Sequence, residues 1–450
     1  MLRRLYSPAA FDPNLPVGTY WSETVDETGG RFTPPDGALA VDFAVIGAGY
    51  TGLNAALRLS QKFSASVAVL DAGWPGWGAS GRSGGFCCMG GARLSESQIE
   101  RNHGLEEAQK FAKTQVESVA FVRELTELHD MEVEAHGNGE WALAHCPEAL
   151  DDLRLEANAL ERYAGLQPAF YGPHALAEIG MAGPHFHGAA HIPVGFALNP
   201  ARYVEGLTRA VLCSGVQIFG HSPVTGLSKE GNRYLLHLPK GVISAENLLI
   251  AVNGYGQDGP HDWFAGRHLP VLSNVMVTRA LSPQEQEAQG WTAHEMAYDT
   301  RNLLHYFRLL PNGRFLFGMR GGTDAAPEKR QHMFERTRQH FDLMFPAWAD
   351  VEATHFWSGF VCMNRSLAPY IGAVGSLSRV WTAAGYHGNG IAMASWAGKA
   401  LADFAAGYQQ GIDRIPAVMR QVPKRFPLSA LRLLYLKAAY CHYQWVDGKL

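Results

Sequence analysis

The run Gly47-Ala48-Gly49-Tyr50-Thr51-Gly52 constrains this chain most, because of what stands on either side of it. Val41-Asp42-Phe43-Ala44-Val45-Ile46 before it is a short β-rich apolar stretch, and Leu53, Ala56, Leu57 and Leu59 after it recur at helical spacing. Ser66-Val67-Ala68-Val69-Leu70 then reads as a second buried strand, closed by Asp71. Together these make a βαβ unit. In such a unit the first glycine permits a tight turn, the second lets a pyrophosphate approach the backbone, and the third lets helix and strand pack closely. The helix N-terminus meets the phosphate charge, and an acid placed like Asp71 accepts hydrogen bonds from ribose hydroxyls.

The next segment, Gly76-Trp77-Gly78-Ala79-Ser80-Gly81-Arg82-Ser83-Gly84-Gly85, holds more glycine than a crossover needs and predicts a loop pressed along a long cofactor. A second glycine-marked strand-to-helix turn closes the core: Val380 to Ala384, then Gly385-Tyr386-His387-Gly388-Asn389-Gly390, then a small-residue helix from Ile391 to Ala406. Between the two turns, long helices are predicted over 105–131 and 147–164, outside the sheet. Asn199-Pro200 caps a helix through Leu212, Val216–Phe219 is a strand, and Arg233–Leu238 with Val242–Ile243 reads as a hairpin. Leu248 to Val252 reads as a separate apolar strand of the parallel sheet. Val275–Thr278, Leu303–Arg308 and Phe315–Met319, with a turn at Pro311-Asn312-Gly313, predict an antiparallel sheet and hence a second domain.

With 450 residues, 47% of them apolar, the chain is long enough for two cores. A net charge of −4 supplies no broad basic field, so nucleic acid is not an expected partner. No stretch approaches the ~20 apolar residues of a membrane span, and Met1 to Asp12 lacks an apolar core or cleavage site; the expectation is a cytoplasmic protein. Six cysteines without a CxxC pair, two of them the neighbours Cys87 and Cys88, fit free thiols in a reducing compartment. His185 and His187 lie in a Gly/Pro-rich loop without a matching ligand pair, and no metal is assigned.

Several of these stretches together resemble the FAD-dependent amine and amino-acid oxidase (DAO) family, which includes glycine oxidase, D-amino acid oxidase and monomeric sarcosine oxidase. The branch of gamma-glutamylputrescine oxidase-like proteins is the most similar. The resemblance rests on Thr19 to Thr24, the two runs 47–52 and 76–85, Ala251-Val252-Asn253-Gly254-Tyr255, Tyr306-Phe307-Arg308, Gly313 to Gly318, Pro369 to Gly372 and Gly385-x-x-Gly388-x-Gly390. The tail from Arg432 through Trp445 to Asp447 is also similar. The resemblance implies an α/β fold: a Rossmann-like FAD-binding domain with a second α+β substrate domain on an antiparallel sheet. The expected division is an arm over 1–39, a FAD domain over 40–93, 196–262 and 352–412, a substrate domain over 94–195 and 263–351, and a helical tail over 413–450.

Carried over by position, the resemblance assigns Gly47, Gly49 and Gly52 to the pyrophosphate, Asp71 to the adenosine ribose and Val224 to adenine, with Tyr50, Thr51 and Ala72 also counted as cofactor-binding. Ser80, Arg82, Ser83, Gly84 and Gly85 would run along the ribityl chain, and Ala79, Asn253 and Gly254 are counted as cofactor-binding as well. Gly385, His387, Gly388, Asn389, Gly390 and Ile391 would face the flavin pyrimidine edge, where N–H groups and a helix dipole stabilise negative charge. Tyr306 falls where the family places a substrate-facing tyrosine, and strand alternation puts Arg308 on the same face, available to an acidic group. Cys362 lies in a stretch similar to the one where sarcosine oxidase carries its flavin-linked cysteine; Trp357 and His355 are expected near the pocket.

Two departures stand out. His387 and Asn389 replace the small residue and the histidine common in the family, which makes His387, with Tyr306 and His355, a candidate for steering and proton traffic. Val361 stands where glycine oxidase and its D-amino acid relatives hold a substrate carboxylate with arginine, so an α-carboxylate clamp there is not expected. The implied reaction is oxidation of the C–N bond of a primary or secondary amine, such as a gamma-glutamyl amine or N-alkyl amino acid. Hydride passes to flavin N5, the imine is hydrolysed, and electrons pass to O2 or another acceptor. Two rivals are carried: a dehydrogenase feeding a membrane chain, suggested by the apolar stripe Leu431, Leu434, Tyr435, Ala438 and Trp445, and a flavin-binding protein without turnover. Monomer and dimer are both open.

Overall fold

The strand before the first glycine turn is longer than its apolar run: Ala38–Ile46 extends three residues upstream of Val41 in the computed structural model, which describes residues 5–26, 31–256 and 258–448. Its extra length has a partner. Val242–Ile250 pairs with it in parallel along the whole strand, from Ala38 opposite Val242 to Ile46 opposite Ile250. The predicted separate strands at 242 and 248 are therefore one strand, because Ser244 and Glu246 between the apolar runs lie at the partly open start of the sheet. Arg233–His237 does fold back on its first half as the expected hairpin.

The parallel sheet runs in the order Val380–Ala384, Val242–Ile250, Ala38–Ile46, Val67–Leu70, Gln217–Phe219. On its face lie the helices Tyr50–Phe63 and Gly390–Ala405, packed on each other. The long helix Leu105–Leu128 joins this core: Phe111, Val119 and Val122 are buried among residues of both helices. Its expected place in a separate layer is thus corrected. An apolar stripe reads the same whichever core covers it, and its sequence position between substrate-domain strands misleads.

The second sheet has eight strands in the order Ala353–Asn364, His268–Ala280, Arg314–Arg320, His305–Leu309, Met296–Asp299, Glu140–Leu143, Ala189–Ile192, Ala169–Tyr171. Most neighbours are antiparallel, and Met296–Asp299 pairs in parallel with Glu140–Leu143. The strand Ala353–Asn364, expected in the FAD domain, belongs to this sheet, paired residue by residue with His268–Ala280. Phe307, Phe315, Phe317, Phe341, Phe345, Trp291 and Trp348 fill the core behind it.

The arm residues 1–4 and 27–30 lie outside the described set. Within the rest, Trp21 is buried, and Tyr6 donates to the carbonyl of Pro270 at 2.8 Å. The tail helix Arg432–Val446 turns Arg432 and Leu436 inward, while Leu431, Leu434, Tyr435, Ala438 and Trp445 are exposed; the expected stripe is not the face that packs. No helix among the described residues is long and apolar enough to cross a membrane.

Candidate functional site

One cavity of about 480 Å³ reaches from the parallel sheet to the antiparallel one. Gly47 opens it at φ +106°, and a Cβ there would stand 2.6 Å from the carbonyl oxygen of Ala251. A Cβ at Gly52 would stand 1.8 Å from the Gly47 carbonyl oxygen, so helix and strand touch here only because both residues are glycine. Gly49 caps the helix without a side chain. The first-turn N–H groups thus lack an intrahelical partner at the cavity wall, where an anion is stabilised.

Asp71 holds this turn together. Its two oxygens accept from Ala48 N and Gly73 N, each at 2.8 Å. Burial pushes its carboxyl up to about 6, against the pull of those two bonds. Asp71, Ala72 and Val224 all line the cavity, as the resemblance places them. Thr51 Oγ1 lies 2.8 Å from the Tyr386 hydroxyl, so the first and last glycine turns meet across the same space.

The run 82–85 is fastened from behind. Arg82 O accepts from Trp357 Nε1 at 2.8 Å, Ser83 O from Trp21 Nε1 at 2.8 Å, Gly84 O from Arg308 Nε at 3.0 Å and Gly85 O from Leu198 N at 2.9 Å. Four consecutive carbonyls turn away from the cavity. Ala79, Ser80, Arg82, Ser83 and Gly84 line it, and Ser83 Oγ and Arg82 Nη2 are buried without a protein partner. Such orphaned donors are costly unless something polar fills the space.

This fastening corrects three expectations. Trp357 and Arg308 are outside the cavity lining and support the loop instead. Arg308 also donates to Leu198 O at 2.8 Å, and burial lowers its pKa to about 9. His355 is further off: its ring bridges Glu23 and Thr354 at 2.9 Å each. It is not among the residues that line the cavity. Gly52, Gly85, Gly254 and Gly385 lie behind the lining as backbone spacers, while Asn253, Gly388, Gly390 and Ile391 line it.

At the far end Tyr306 lies across Gly318, where a Cβ would meet its ring at 2.1 Å, and its hydroxyl is 3.0 Å from Ser273 Oγ. His387 has φ +53° and a buried ring whose nitrogens make no hydrogen bond of ordinary geometry; burial, then Arg93 and Arg320, lower its pKa to about 3. Asn389 donates to Met89 O and fixes the last turn to the short strand Phe86–Cys88. Cys362 lines the wall as a thiol, its pKa pushed up to about 12 by burial.

Among the lining residues that sequence reasoning missed, three are charged: Arg93, Arg320 and Glu140. Among the described residues neither arginine pairs with a carboxylate; Arg320 donates to His387 O at 3.1 Å. Burial lowers the pKa of both, to about 9 for Arg320, which leaves it charged at neutral pH. Glu140 is buried beside the Cys88 thiol, and burial raises its pKa to about 8. The elongated cavity, helix-start N–H groups and unpartnered polar atoms suit a dinucleotide with a flavin end.

A profile of the FAD dependent oxidoreductase family (DAO) matches residues 42–404. The probable oxidoreductase OrdL of Rhizobium meliloti is 29% identical over 89% of this chain and 92% of its own length. Gamma-glutamylputrescine oxidoreductase of Escherichia coli is 25% identical over 84% and 86% respectively. The crystal structure of glycine oxidase from Geobacillus kaustophilus superposes with a TM-score of 0.64 at 20% identity, over 82% of this chain and 95% of that one. A glycine turn at each end of the matched region, both facing one cavity, agrees with that profile: this chain belongs to the FAD-dependent oxidoreductase (DAO) family.

Proposed function

We propose that the protein oxidises the C–N bond of an amine that also carries a carboxylate, such as a gamma-glutamyl amine or an N-alkyl amino acid. The observation that carries this reading is the pair Arg93 and Arg320: two guanidiniums that line the same cavity as both glycine turns, Arg320 half-buried and Arg93 exposed, neither with a carboxylate partner among the described residues. A substrate carboxylate at this wall would meet both guanidiniums in charge-assisted hydrogen bonds. The likeness to a gamma-glutamylputrescine oxidoreductase supports an amine as the reacting group. Gly47 to Gly52, Asp71, Ser80 to Gly84 and Gly388 to Ile391 would hold FAD, which would supply a hydride acceptor and a route for electrons to O2 or another acceptor.

The chain's own residues orient and desolvate. Arg93 and Arg320 fix the anionic end of the substrate, and Tyr306, neutral because burial raises its pKa, offers its hydroxyl beside Ser273. The two guanidiniums also disfavour a third cation nearby, which biases the reacting nitrogen toward the neutral form that hydride loss requires. His387 stays neutral, since burial and the two arginines hold its pKa to about 3, and so it can orient a substrate by hydrogen bonding but does not take up a proton at neutral pH.

An anaerobic bleaching screen tests this. Acidic amines should discharge the yellow colour of the purified holoprotein, and matched amines without a carboxylate should do so at least tenfold less efficiently. A flavin that stays oxidised with every amine overturns the proposal. Peroxide formed on readmitting air identifies O2 as the acceptor.

A further inference from the structure

Of the two acids that line the cavity, Asp71 is committed: both its oxygens accept backbone N–H groups. Glu140 is not. It is 5% exposed, and among the described residues no N–H or O–H group donates to its carboxyl, which has only the Cys88 thiol beside it. Met296 pairs with Glu140 across the sheet and packs on Cys88. A buried carboxyl without a donor is costly, and a ligand that brings N–H groups relieves that cost.

The sheet register fixes where this acid stands relative to Arg320. Gly318, Tyr306, Tyr298 and Ala142 are paired in a row across four neighbouring strands. Paired residues share a face, and so do residues two apart on one strand. Arg320, two after Gly318, and Glu140, two before Ala142, therefore lie on the same face. The first and last of the four strands run in the same direction, which puts the two groups at diagonal corners of that face. Tyr306 and Tyr298, which also line the cavity, stand on the strands between. Their contacts differ accordingly: Arg320 donates to His387 O at 3.1 Å, whereas the Cys88 sulfur beside Glu140 accepts from Asn389 Nδ2 at 3.4 Å.

We propose that Glu140 is a specificity-determining residue that accepts the N–H groups of the substrate's amine end while Arg320 holds its carboxylate, so that the site takes amines separated from their carboxylate by a chain of several atoms. The inference rests on the reading of Arg93 and Arg320 as a carboxylate site, and it narrows the proposed substrates. In an N-alkyl α-amino acid one carbon separates nitrogen from carboxylate, too little to reach both corners; the gamma-glutamyl derivative of a diamine carries the two groups at opposite ends. A carboxyl keeps an accepting oxygen whether or not it is protonated, and a bond from N–H leaves the nitrogen lone pair available for hydride loss.

Holoprotein is titrated with two amino acids whose nitrogen-bearing carbon carries no hydrogen, so that neither can be oxidised: 6-amino-6-methylheptanoate, with five carbons between nitrogen and carboxylate, and 2-aminoisobutyrate, with one. Propionate is the carboxylate-only reference. Binding is read by the change in flavin absorbance in the wild type, Glu140→Met and Glu140→Gln. The wild type should bind the long ligand at least tenfold more tightly than the short one. Glu140→Met should weaken the long ligand about tenfold, as loss of hydrogen bonding to a charged group requires, and leave propionate unchanged. Glu140→Gln, which keeps one accepting oxygen, should fall between the two, and it decides the outcome if Glu140→Met does not retain FAD. Equal affinities for the two ligands in the wild type, an undiminished preference in the variants, or an equal weakening of propionate overturns the inference. Propionate that fails to bind the wild type overturns the carboxylate reading and this inference with it. The amine bleaching screen decides the proposed reaction separately, because none of these ligands is oxidised.

Discussion

Thr51 and Tyr386 stand 335 positions apart in sequence, and their hydroxyl oxygens are 2.8 Å apart in the fold. One belongs to the turn that opens the core and the other to the turn that closes it, so this single bond sets the spacing between two walls of one binding site. A buried neutral hydrogen bond contributes about 1 kcal/mol, and the penalty grows when one partner is left behind unsatisfied. Tyr386→Phe, which leaves Thr51 Oγ1 without this partner, should therefore weaken FAD binding by about five- to tenfold in a titration of the apoprotein, with the melting temperature of the apoprotein lowered only slightly.

The loop 82–85 yields a sharper expectation, since its carbonyls are held by residues that never reach the cavity. Trp21→Phe keeps the buried ring of the arm and removes only the indole N–H that binds Ser83 O. It should raise the dissociation constant of FAD several-fold and broaden the flavin absorption bands.

Arg320→Met tests the carboxylate site in solution kinetics. Hydrogen bonds to charged groups contribute about 1.5–3 kcal/mol, so KM for acidic amines should rise by roughly 10–100-fold. KM for amines without a carboxylate should move far less. Equal losses for both kinds of amine would show that Arg320 serves the fold or the flavin instead.

Glu140 makes a prediction about pH. Its pKa is raised from 4.5 in the free carboxyl to about 8 by burial, so between those values the folded chain holds a proton that the unfolded chain has lost. Stability from this group therefore falls as pH rises from 4.5 through 8. Glu140→Gln removes the titration. Thermal melts should show the variant matching the wild type near pH 5 and melting several degrees higher near pH 9; a constant offset at all pH values would mean that Glu140 does not titrate in this range.

The parts of the site legible in the sequence are those carried by local pattern. The turn at 47–52 announces itself because strand, glycines and helix are contiguous, and so does the turn at 385–390. Arg93 and Arg320 were hidden for a different reason: an arginine is ordinarily a solvated surface residue, and only the fold brings these two to one cavity wall, where among the described residues neither has a carboxylate partner. A signal for Arg320 did exist. Phe315, Phe317 and Met319 alternate toward the core, so extending that strand by one residue puts Arg320 on the face of Gly318, the residue packed beneath Tyr306. Arg308 misled by the same rule, because alternation assigns a face but not a distance along it. Shifted one pair from Tyr306, its guanidinium meets the carbonyls of Gly84 and Leu198 rather than the cavity. His355 misled because closeness in sequence to Trp357 says little on an extended strand, and Trp357 itself faces the back of the loop.

The central claim is that both glycine turns grip one FAD, and a direct measurement is a titration of the apoprotein with FAD followed by flavin absorbance. The wild type should take up one FAD per chain at saturation, and Gly52→Ala and Gly388→Ala, each altering a different turn, should each weaken that uptake by tenfold or more. An apoprotein that takes up no FAD, or uptake indifferent to both substitutions, would contradict the account.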